Sequence, residues 1–116
     1  MTEMNETYDF PTISMNIIMP AGNARTTAME SMDALMNGDS EKAAALLREA
    51  KEYVKQAHKA QTDVLQSLAA RDYNGGEPVV LPMLFVHAQD TIMTIMTEIN
   101  LIEKMEQMYV KLKEEQ

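Results

Sequence analysis

From Asp39 to Arg71 the chain contains neither glycine nor proline, and this stretch constrains the fold more than any other feature. Glycine breaks helices through its backbone entropy and proline through its missing N–H, so excluding both over this length permits one long helix. Asp39 supplies a good N-cap for it. Within the stretch Ala43, Leu47, Ala50, Val54, Ala57, Gln61, Val64 and Leu68 recur at alternating three- and four-residue steps, which puts them on one face. Gln61 alone is polar on that seam.

Turn signals bound the stretch on both sides, Asn37-Gly38-Asp39 before it and Asp72-Tyr73-Asn74-Gly75-Gly76-Glu77-Pro78 after it. The apolar pattern beyond each turn again has helical period, so the expected fold class is all-α, an antiparallel three-helix bundle. The first helix is expected from about Ile13 to Met36, with Pro20 producing a kink or a late start. The third starts near Pro82 and runs toward Lys113. Residues 1–12 read as a loosely ordered segment ahead of one helical domain over 13–116, since 116 residues suit a single core.

The third helix carries two apolar faces. Phe85, Ala88, Ile92, Ile95, Ile99, Ile102, Tyr109 and Leu112 form a seam that suffices to pack on the other two helices. The opposite side holds Met83, Val86, Met93, Leu101 and Met108, with His87, Asp90, Thr94 and Thr97 among them. A three-helix monomer leaves that side wet, so it argues for coiled-coil association between subunits.

Composition removes several function classes. With no Cys there is no disulfide framework, thiolate nucleophile or Cys-based zinc site, which fits a reducing compartment, the cytoplasm. No apolar run approaches the ~20 residues of a membrane span, and the acidic start does not read as a secretory signal. A net charge of -8 repels phosphate backbones and disfavours nucleic acid as a partner. Neither a nucleotide-cradling GxxxxGK[ST] loop nor an HExxH pair is present, so a phosphoryl donor has to come from outside. The 12 Met residues sit at helical spacing and read as adaptable core and interface filler.

His87 and Asp90 are three apart on the third helix and project from the same side, within the candidate subunit face. Neutral imidazole is a nucleophile near neutral pH, and a phosphorylated nitrogen is a good leaving group, which suits reversible transfer. Spacing alone favours a surface or interfacial histidine without chemistry, so His87 needs other support. Asp90 lies amid apolar neighbours, where converging copies from several subunits would form an all-oxygen site for a hard divalent cation; it also fits a carboxylate that simply reaches solvent. His58 and Gln61 are a second helix-spaced pair, with Gln61 either a register-setting polar residue or a functional one. Gly22 and Arg25 share a face of the first helix, where glycine suggests close approach of a neighbour and Arg25 either aids phosphate binding or is merely solvated.

Three segments together resemble a known family, the enzyme IIA component of lactose/cellobiose (chitobiose) phosphotransferase systems. They are Ala21-Gly22-Asn23-Ala24-Arg25, Ala57-His58-Lys59-Ala60-Gln61-Thr62 and Val86-His87-Ala88-Gln89-Asp90, one in each expected helix and in the family's order and spacing. The resemblance implies a homotrimer whose third helices form a parallel coiled coil. It implies that His87 accepts a phosphoryl group from the phosphohistidine of HPr and passes it to a cysteine of the IIB component. IIB serves the IIC permease, which takes up a β-linked disaccharide such as lactose, cellobiose or chitobiose. It further implies that Asp90 from each subunit holds a divalent metal, magnesium being the expected one, at the trimer axis. Gln89 and Gln61 are expected to orient the imidazole or the phosphoryl oxygens.

The chain departs from the family pattern at one place. His-Ala-Gln-Asp is usually followed by a second histidine, where this chain has Thr91, which hydrogen-bonds but does not titrate near neutral pH. A helical adaptor that keeps the bundle and has lost the relay is the alternative reading that this change leaves open.

Overall fold

A computed structural model describes residues 8–116 and contains three helices, α1 (Phe10–Met36), α2 (Ser40–Tyr73) and α3 (Met83–Glu114), with no strand among the described residues. Their boundaries follow local chemistry. Asp39 caps α2 by accepting the Lys42 N–H at 3.1 Å. Gly38 and Gly75, just past the ends of α1 and α2, take positive φ of 86° and 73°, the left-handed conformation that lets a chain leave a helix without steric penalty.

Side-chain contacts set the direction of each helix. The Tyr8 hydroxyl meets Ser67 Oγ at 2.7 Å and Ser31 Oγ donates to the Ala43 carbonyl at 2.7 Å, so α2 runs antiparallel to α1. Phe10 packs on Phe85 with ring centroids 5.2 Å apart, Arg25 pairs with Glu98, and Ser31 reaches Glu106, so α3 runs parallel to α1. This is the expected up-down-up bundle. The α1 seam runs Phe10, Ser14, Ile17, Ala21, Ala24, Ala28 and Ser31, all buried. Of the α2 seam, Ala43, Ala50, Ala57, Gln61 and Val64 are buried, and Leu47, Val54 and Leu68 half-buried. From α3, Phe85, Ala88, Ile92, Ile95, Ile99 and Ile102 close the core.

Several expectations need correction. α1 begins at Phe10 instead of Ile13, because Asp9 accepts both the backbone N–H and the hydroxyl of Thr12, and Pro11 fits a first turn. Residues 1–7 of the segment expected to be loose lie outside the described residues, whereas Tyr8 and Phe10 are buried. Pro20 does not break α1. Its missing N–H frees the Asn16 carbonyl, and exposed Asn16 leaves that group open to water. Leu112 is 57% exposed, not core, because at the α1–α3 register α1 ends about one residue short of it and little remains to pack against. Gly22 is exposed, and a Cβ there would meet nothing within 4 Å, so the chain itself supplies no close neighbour.

Because Phe10 joins the ring of Tyr8 to that of Phe85, Phe10→Ala is expected to destabilise the fold by about 3 kcal/mol in urea unfolding, as large-to-small core changes do. A change below about 1 kcal/mol would mean that the start of α1 is not part of the core.

Candidate functional site

The turn from Asn74 to Pro82 delivers the chain to the start of α3, where no side chain caps the helix and the first turn carries no acidic residue. Uncapped amides at a helix N-terminus favour a nearby anion. His87 lies in the second turn, and helical side chains lean toward the N-terminus, so its imidazole leans toward that uncapped end. His87 is exposed, and among the described residues its ring has no hydrogen-bond partner. Asp90 is also exposed and has no ion-pair or hydrogen-bond partner among the described residues. Around them Met83, Val86, Met93, Leu101 and Met108 are exposed, so the second apolar face stands uncovered in the single chain.

Gln61 and Gln89 lie elsewhere on the wheel. Gln61 Nε2 donates to Gln89 Oε1 at 2.5 Å, tying α2 to α3 in a part-buried setting. Two residues of α-helix turn through about 200°, so Gln89 leaves α3 on the side away from His87. The structure thus joins the two glutamines to each other and not to the imidazole of the same chain. Thr91 Oγ1 donates to the His87 carbonyl at 2.7 Å, which engages the hydroxyl with backbone one turn earlier. His58 is exposed on α2. Arg25 donates from Nε at 3.0 Å and Nη2 at 2.5 Å to Glu98 Oε1, a half-exposed pair of modest energetic worth.

Two polar contacts escaped the sequence reading. Glu106 is buried and accepts from Ser31, although the step from Ile102 to Tyr109 on the α3 seam passes through residue 106. Glu98 faces Arg25 because α1 and α3 are parallel, a register that spacing within one helix does not reveal. No group of three or more His, Cys, Asp or Glu side chains suited to a metal occurs among the described residues of one chain. Asp90 therefore contributes a single carboxylate per chain.

The glutamine pair makes a stability prediction. Gln89→Ala strands the Gln61 amide in the core and is expected to cost about 1 to 3 kcal/mol in urea unfolding, with much of the loss recovered in a Gln61→Leu/Gln89→Leu double variant. Equal losses in both variants would contradict the pairing.

Comparison with known proteins places these features in a family. Residues 12–110 match the family model described as PTS system, Lactose/Cellobiose specific IIA subunit. The chain is 37% identical over 112 residues to the lichenan-specific phosphotransferase enzyme IIA component of Bacillus subtilis, covering 97% of this chain and 96% of that one. It is 34% identical over 102 residues to the lactose-specific EIIA component of Lacticaseibacillus casei, covering 88% and 87%. The crystal structure of the cellobiose-specific enzyme IIA from Bacillus anthracis superposes with a TM-score of 0.80 at 29% identity, covering 94% of this chain and 95% of that one. With His87, Asp90, Gln61, Gln89 and Arg25 all inside the matched span, the chain belongs to the lactose/cellobiose-specific IIA family of the phosphotransferase system.

Proposed function

We propose that this chain is a cytoplasmic phosphocarrier whose His87 accepts a phosphoryl group from phosphorylated HPr and hands it to the cysteine of a cognate IIB component, for uptake of a β-linked disaccharide through IIC. The observation that carries this reading is the exposed His87 with an unengaged ring, beside an uncapped helix start and inside the span matched by the family. The lone pair of one ring nitrogen attacks phosphorus. An N–P bond forms to His87 as the N–P bond of the donor imidazole breaks, and its electron pair returns to the donor ring. His87 then sheds one proton from its other nitrogen and the donor takes one up. In the second transfer a thiolate of IIB attacks phosphorus, an S–P bond forms as the N–P bond to His87 breaks, and the leaving ring takes one proton back up.

Positioning and charge stabilisation supply the catalysis, because phosphoryl transfer asks for little covalent chemistry from the protein. The amide dipoles at the start of α3 favour the phosphoryl charge on His87. Gln61 and Gln89 orient the site through the brace between α2 and α3, and any direct hydrogen bond from Gln89 to a phosphoryl group reaches a neighbouring subunit's histidine.

The uncovered face of α3 is closed by two further copies in a parallel coiled coil, giving a homotrimer. Exposed Met83, Leu101 and Met108 at heptad-like positions support this assembly. Asp90 falls on the same face, so three carboxylates converge. Their hard oxygen donors suit magnesium, whose charge would offset their mutual repulsion. Magnesium has a structural role in this reading and takes no part in the transfer.

Incubation with phosphoenolpyruvate, enzyme I and HPr is expected to add one acid-labile phosphoryl group per subunit, and His87→Ala to abolish it. Undiminished labelling of His87→Ala would overturn the assignment. In sedimentation equilibrium the protein is expected to weigh three chains and to dissociate more readily with chelator. A single-chain mass with and without chelator would contradict the trimer.

A further inference from the structure

Of the three helix pairs, α2 and α3 pack together least, and toward the end of the bundle remote from His87 they part to form an open cleft of 510 Å³. Leu35, Ala43, Ala44, Leu47 and Val110 give it mainly apolar walls. Glu106 also lines it, about 28 Å from His87 along α3 at ~1.5 Å per residue. This residue is only 9% exposed and sits among groups that solvate a carboxylate poorly.

The protein compensates Glu106 incompletely. Oε2 receives the Ser31 hydroxyl at 2.8 Å, but that hydroxyl also faces the Ala43 carbonyl at 2.7 Å and has one proton for two acceptors. Oε1 has no partner among the described residues, and it is not among the sealed, unpaired side-chain oxygens, a class that there contains Ser14 Oγ alone. It therefore opens to the cleft. Among the described residues no cation forms an ion pair with it; Lys51 pairs with Glu103, and Lys111 lines the cleft along with Glu114.

We propose that this cleft is a binding site for a small amphipathic ammonium compound, its cationic head on Glu106 and its aliphatic tail between α2 and α3. The volume falls in the range of small-ligand pockets, roughly 300 to 1,000 Å³. An apolar wall with one under-compensated carboxylate asks for a ligand with the converse pattern. The site is independent of the relay residues. Glu106 and Val110 each lie two residues, about 200° of turn, from Met108 on α3, so the cleft opens away from the face assigned to the trimer.

Hexylammonium chloride is the probe, titrated into the full-length protein and followed by NMR of the Leu35, Leu47 and Val110 methyl groups, with hexanol and hexanoate as controls. The expected result is saturable shifts with hexylammonium, at least about fivefold weaker binding of hexanol, and none of hexanoate. Glu106→Gln should bring hexylammonium down to the affinity of hexanol, and Ala44→Trp, at an exposed wall position, should block both. Equal affinity for hexylammonium and hexanol would overturn the proposal, as would no binding, whether the cleft repels the probe or another copy covers it. If Glu106→Gln fails to fold by circular dichroism, the control ligands and Ala44→Trp still decide.

Discussion

The structure depends on the close approach of α1 and α2 along a line of alanines. Ala21, Ala24 and Ala28 of α1 and Ala43, Ala50 and Ala57 of α2 are all buried, and side chains this small let two helix backbones come near each other. A pair so formed offers little volume of its own. The bulk comes from α3, whose isoleucines and Phe85 lie on the pair, and one face of α3 is fully used in doing so. Everything on the opposite face, His87 and Asp90 included, is thereby turned outward.

That division explains why a protein of this size displays so much exposed methionine and leucine on one helix. The core needs only one α3 face, and the second is available for assembly and chemistry. Burying the second face against other copies would remove apolar surface from water while bringing histidines and aspartates of different chains together. Fold and relay in this reading are two consequences of one helix with two faces. Positioning by the Phe10–Phe85 contact and the Gln61–Gln89 bond then matters to the proposed relay because His87 sits within two residues of both Phe85 and Gln89.

Much of this was legible in the residues. Alternating three- and four-residue steps identified the α2 and α3 seams, and Gln61 emerged as the one polar residue on its seam. The outward group on α3 likewise followed from spacing alone. What escaped has physical causes. The start of α1 was obscured because Pro11 and the short run before it carry no helical period, while the Asp9 cap and the Phe10 ring act through contacts with Thr12 and Phe85. Glu106 is not evident from the sequence, since a carboxylate on a core seam is disfavoured unless a partner compensates it, and Ser31 lies on another helix. Glycine at position 22 suggests a contact position, yet its own chain leaves it open. The role proposed for His87 rests on its exposed, unengaged ring together with three segments falling in the right order, information that no single residue holds.

The chain has 2 histidines, both exposed, and only one of them is on α3. The most direct measurement is therefore site mapping of the phosphorylated protein, kept alkaline to protect a phosphorus–nitrogen bond and fragmented in a mass spectrometer. The account predicts the added phosphoryl mass on the fragment bearing His87 and none on that bearing His58. Phosphate found on His58, or on a hydroxyl side chain, would contradict it.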